Sequence, residues 1–146
     1  MNDVITRHTG EPRSSRGLNV GLWIVQALLS LTFAGGAVWK LVTPLPTIAA
    51  MMPWAGQVPP AFFYFTAGVD LAGGLGVVLP SLTRIKPGLV VPAALGCVAL
   101  QICAIVFHLS RGESADTPFN FVLVALALFV AWGRRKVPIP PRKKVP

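Results

Sequence analysis

Polar residues gather at the two ends of the chain and in short interruptions between long apolar runs. The runs cover residues 18–42, 61–79 and 88–109, with a shorter one around 119–132. A helix needs about 20 apolar residues to cross about 30 Å of hydrocarbon, and the first three runs reach that length directly. The fourth extends to 117–136, because Thr117 and Pro118 suit a helix start and Arg134, Arg135 and Lys136 can snorkel at its end. The first run is far longer than the apolar region of a signal peptide and follows a polar tail, so it is expected to be a retained helix. The pattern predicts an all-α integral membrane four-helix bundle over 18–136, between a polar tail at 1–17 and a basic, proline-rich tail at 137–146.

Composition agrees with that reading, since 53% of the residues are apolar and 12% charged, with a mean hydropathy of +0.65. Most glycines lie inside apolar runs, where helices use them to pack closely. The net charge of +8 raises the possibility of a nucleic-acid partner. The basic residues flank apolar segments instead, the signature of membrane topology and anionic headgroups, so no nucleic acid is expected. Arg7, Arg13 and Arg16, then Arg84 and Lys86, then the tail from Arg134 to Lys144 fall on one side, leaving Lys40 and Arg111 on the other. Both termini are therefore expected on the cytoplasmic side of a bacterial cytoplasmic (inner) membrane. Trp23 and Trp132 fit the inner interface, and Trp39, Trp54 and Tyr64 the outer one. The uncharged stretch 43–60 carries five prolines. It is expected to lie on or dip into the outer interface through Met51, Met52 and Trp54.

Within the second apolar run, TAGVDLAGGLGVVLP, stands one acid, Asp70. It lies about 13.5 Å from the outer end of its helix, close to mid-bilayer. A charge there costs about 2.5–3.5 kcal/mol on insertion scales, so Asp70 should face protein or a water-filled cavity and find a partner. Lys40 at the outer end of helix one and His108 on helix three come to similar levels, with Gln101 one heptad before His108 on the same face. Gln26 shares a helix face with Lys40 by the same spacing. These five residues form the candidate polar pocket, and a bundle-facing site is expected in its outer half. The plainer alternative has Lys40 snorkelling outward and His108 capping helix three, with Asp70 left as an interhelical hydrogen-bonding group. Gly73 and Gly74 beside Asp70 should admit a close helix neighbour, and Gly68, Ala72 and Gly76 on the opposite face could serve a homo-oligomer. Cys97 and Cys103 point about 240° apart with a rise of about 9 Å, so they read as packing residues rather than a disulfide.

The segments GGAVWKL, AGVDLAGGLGVVLP, ICAIVFHLSRGE and AWGRR, in that order, resemble the DoxX-like family of small bacterial membrane proteins. The resemblance covers roughly residues 18–135 and implies a four-helix membrane bundle beside quinone-linked or thiol-linked redox enzymes. It also carries a lysine, an acid and a histidine onto Lys40, Asp70 and His108. The acid is typically glutamate in the family, so Asp70 shortens the carboxyl's reach by one methylene.

A self-contained redox enzyme is not expected: one intramembrane histidine cannot give bis-histidine haem ligation, and no CxxC pair, metal site or glycine-rich dinucleotide fingerprint is present. A diffusible quinone needs only hydrogen-bond donors at membrane depth, which Lys40, His108 and a protonated Asp70 could supply. The favoured reading is therefore an accessory or quinone-interacting component of a membrane redox system, with a membrane or periplasmic redox protein as partner. The alternative is a non-enzymatic assembly factor, chaperone or scaffold. Transport ranks last, because neither an internal repeat nor a broken helix pair is evident.

Overall fold

The computed structural model describes residues 13–143, side chains 13–15 aside; most of the polar tail, with Arg7, and the end of the basic tail, with Lys144, lie outside the described residues. Among the described residues six α-helices follow in order: α1 Arg13–Ser30, α2 Gly36–Val42, α3 Leu45–Met51, α4 Pro60–Thr83, α5 Val90–Ser110 and α6 Pro118–Lys136. No strand occurs among the described residues. Four continuous segments are long and apolar enough to cross a membrane: Arg16–Val42, Pro60–Thr83, Pro87–Ser110 and Ser114–Lys136. They match the four expected runs, with the second extended by one turn at its far end and the first helix begun by Arg13, inside the expected tail.

Two local features go beyond the sequence reading. The first span is not a uniform α-helix, because α1 and α2 are joined by a π-helical turn at Leu31–Gly35. Such turns widen the helix by one residue and re-aim the side chains that follow. The stretch 43–60, expected to lie at the outer interface, carries local structure of its own and folds into a cap. Pro44 and Pro53 open a short helix and a 3-10 turn, and Ile48, Ala55 and Phe63 become fully buried against Leu45, Met52 and Trp54. The prolines suit these starts, since the first turn of a helix has no use for their missing N–H.

The spans pack antiparallel in succession, so the two ends of the described chain meet at one end of the bundle. There Arg134 of α6 bonds Asn19 and Gln26 of α1, and the Arg142 N–H donates to the Arg84 carbonyl at 3.0 Å. At the opposite end Arg111 reaches Gln57 in the cap. The main core joins Leu29, Phe33, Val77, Ala94, Cys97 and Ala127. Gly74 is required where α4 crosses the π turn: a Cβ there would stand 2.5 Å from the Ala34 nitrogen. At the neighbouring Gly73 it would stand 3.0 Å from Cys97 Sγ. The expected close approach beside Asp70 is therefore made on both sides.

Arg134 corrects an expectation. It does not snorkel but is 4% exposed, its Nε donating to Gln26 Oε1 at 2.6 Å and its Nη1 to Asn19 Oδ1 at 2.7 Å, with the guanidinium 5.3 Å from the Trp23 ring. The position at a helix end favoured solvation, and two amide side chains on α1 override it by supplying acceptors inside the bundle.

Candidate membrane-embedded pocket

At the cap end, all four spans and the cap enclose a cavity of about 600 Å³. Its size is that of a small-molecule site, and its walls are mostly aromatic and aliphatic with a few polar groups, the composition such sites favour. Trp39, Trp54, Phe62, Phe65, Phe107 and Phe119 form much of the wall. Phe65 and Phe119 are 67% and 60% exposed, so the cavity reaches the apolar exterior of the bundle as well as its interior.

Lys40, Asp70, Gln101 and His108 all line this cavity. Lys40 Nζ donates to Asp70 Oδ2 at 2.7 Å, and both side chains are mostly buried. The plainer alternative of an outward-snorkelling Lys40 fails, because Asp70 offers a counter-charge at the same depth and Trp54 presents its ring 6.0 Å from Nζ. An ammonium has three donors, so this pairing leaves Lys40 two more. Gln101 of α5 is buried in the cavity wall, as is Asn120 of α6, which sequence reasoning missed.

Gln26 does not belong to this site. It is fully buried at the other end, where its Nε2 donates to Ser81 Oγ at 2.9 Å and to the Val77 carbonyl, while its Oε1 accepts from Arg134. The reason is simple: Gln26 and Lys40 share a face by heptad spacing, but fourteen residues separate them by about 21 Å along the axis. A shared face is not a shared level.

The second residue that sequence reasoning missed is Glu113. Helix α5 ends in a Schellman motif: the Gly112 N–H donates to the Leu109 carbonyl at 3.1 Å and the Glu113 N–H to the His108 carbonyl at 2.9 Å. Gly112 takes φ +75°, a left-handed conformation that favours a residue without a Cβ. The motif folds Glu113 back over His108, whose Nδ1 lies 2.8 Å from Glu113 Oε2. An ionised carboxylate only accepts, so Nδ1 carries the proton and Nε2 is the nitrogen left for the cavity. Arg111 Nε donates to the other carboxylate oxygen at 2.9 Å. The His108 bond foremost, then Arg111, holds the Glu113 carboxyl below its ordinary 4.5. The glycine three residues after the end of the third apolar run was the available signal for this arrangement.

Although the sequence suggested no metal site, the ligand atoms of His108, Glu113 and Asp116 lie within 4.8 Å of one another. Glu113 is already held by His108 and by the Arg111 cation, which opposes a second positive charge there. Of the two cysteines, Cys97 is buried beside Gly73, as a packing residue should be, whereas Cys103 is exposed and lines the cavity; both are free. In the small-residue stripe, Gly76 packs toward Ala93 of α5, while Gly68 and Ala72 are exposed.

The family model described as DoxX-like matches residues 24–130, most of the chain and nearly all of the cavity-bearing bundle. Neither a curated protein nor a solved structure matches the sequence. With four span-length apolar helices and that match, the chain is a multi-pass membrane protein that belongs to the DoxX-like family.

Proposed function

We propose that this protein is a quinone-interacting accessory component of a membrane redox system, set in a bacterial cytoplasmic membrane with the cavity toward the outside. The observation that carries the reading is the aromatic cavity of about 600 Å³, open to the apolar exterior and holding the Lys40–Asp70 pair in its wall. A ligand arriving from the bilayer must be lipid-soluble, and a carbonyl-bearing ring has the shape for the aromatic walls. Lys40 donates to one carbonyl oxygen while Asp70 fixes the ammonium. His108 Nε2 accepts a proton from the reduced ring or, protonated, returns it. Glu113 holds the imidazole in the tautomer this needs. Orientation follows from charge: Arg84, Lys86, Arg135, Lys136, Arg142 and Lys143 mark the cytoplasmic end, against Lys40 and Arg111 at the cavity end. Both termini are then cytoplasmic, and a periplasmic or membrane redox protein would dock at the cap.

The test is titration of host-membrane quinone into nanodiscs containing the wild type, Asp70→Asn or Lys40→Met. Saturable binding, weakened in both variants, supports the reading. Wild-type protein that is folded yet binds no quinone overturns it and turns attention to an assembly or scaffold role, tested by partner capture.

A further inference from the structure

A second groove lies between the third and fourth spans, at the end of the bundle opposite the cavity. It measures about 500 Å³ and is lined by Leu95, Leu128, Ala131, Trp132, Arg135 and Lys136. Ala131 is its buried floor, while Leu95 and Leu128 are partly exposed walls. Arg135 and Lys136, in the last turn of α6, close it at the helix end and are exposed. Neither forms an ion pair among the described residues, where the pairs use Lys40, His108 and Arg111. The acids among the described residues are Asp70, held by Lys40, and Glu113 and Asp116 in the loop at the far end; Asp3 and Glu11 lie outside the described residues. Among the described residues, an apolar trough along a span therefore ends in two cations with no counter-charge nearby, and an interfacial tryptophan stands beside them.

This is the chemical complement of a phospholipid, which carries an acyl chain next to a phosphodiester. An apolar peptide would leave the cations unused, and a free phosphate would leave the trough unused. A zwitterionic headgroup brings its own ammonium, which Arg135 and Lys136 repel. We infer that the groove is a binding site for one anionic phospholipid, its acyl chain against Leu95 and Leu128 and its phosphodiester on Arg135 and Lys136. Arg135 can grip the phosphate through two parallel N–H donors, and Lys136 adds a point charge. Trp132 sits at headgroup level, where its amphipathic ring belongs. The basic tail is a separate feature: the Arg142 N–H is tied to the Arg84 carbonyl, at the loop between the second and third spans.

Native mass spectrometry of the full chain in micelles containing equal phosphatidylglycerol and phosphatidylcholine tests the site. The expected result is preferential retention of one phosphatidylglycerol, with affinity falling about thirtyfold in an Arg135→Gln/Lys136→Gln variant. Leu128→Trp, which fills the trough and leaves both charges, should also abolish the preference. Arg142→Gln/Lys143→Gln should leave it near wild type, and inorganic phosphate should not displace the lipid. Equal retention of the two lipids overturns the inference. So does a tail variant that loses as much as the groove variant, or displacement by inorganic phosphate. Thermal midpoints near that of the wild type confirm that the variants, all at exposed positions, are folded.

Discussion

The bundle holds two buried polar clusters, one at each end, built on opposite principles. At the terminal end, Gln26, Ser81, Asn19 and Arg134 bond one another directly across three spans. At the cap end, Lys40 and Asp70 pair across two spans but stand in the wall of a cavity with Gln101, Asn120 and His108. Both pair polar groups that lipid would leave bare. The first commits its side chains to holding helices together, with Arg134 Nη2 the one buried side-chain nitrogen or oxygen left without a partner among the described residues, and the second leaves several donors and acceptors facing a cavity. A buried polar residue in a membrane bundle is thus a poor sign of function until the space around it is known.

The contrast breaks most sharply at the sealed cluster. Gln26→Leu strips Arg134 of its Nε partner inside the bundle and should cost about 3 kcal/mol of stability, read as a lowered midpoint of thermal unfolding in detergent. Ligand binding by the remaining folded protein should be unchanged. Gly74→Ala comes next, because the new methyl meets the Ala34 backbone in the π turn and something must shift. A loss of about 1–3 kcal/mol is expected by the same measurement.

At the open cluster the order of effects reverses. Asp70→Asn should weaken quinone binding at least about tenfold, roughly 1.4 kcal/mol, while moving the unfolding midpoint less than Gln26→Leu does. A midpoint shift as large as that of Gln26→Leu, with affinity intact, would make Lys40–Asp70 a second structural clamp and erase the contrast. The smallest effect belongs to Glu113. Its folded carboxyl titrates below 4.5, so the stability it contributes is present above 4.5 and is lost as the pH falls through the folded value. Midpoints measured from about pH 5 down to about pH 3 should therefore fall more steeply for the wild type than for Glu113→Gln.

Asp70 was legible as a group needing a partner, because no other arrangement of an acid at mid-span is affordable. Lys40 was legible as a cation at a similar level on a neighbouring helix, but the choice between pairing with Asp70 and snorkelling outward was made only by the packing. Gln26 was misplaced because periodicity reports the face of a helix and not the height at which a neighbour meets it. Arg134 was misread for a related reason: its fate depended on acceptors from a helix more than a hundred positions earlier in sequence. The π turn at Leu31–Gly35 had no signal strong enough to read, as its residues are ordinary helix formers in lipid.

What the sequence determined by itself is the number of spans, their boundaries to within about a turn, and the need to hide one acid. Those follow from the cost of polar groups in hydrocarbon, which is local and acts residue by residue. Only the tertiary structure decided which polar groups share a level, that residues 43–60 fold into a cap, and that one cluster closes while the other encloses a cavity. Those outcomes depend on how four helices tilt, slide and pack, and in lipid that is set by the shapes of facing surfaces, such as Gly74 against Ala34, rather than by hydrophobicity, which the surrounding lipid shares.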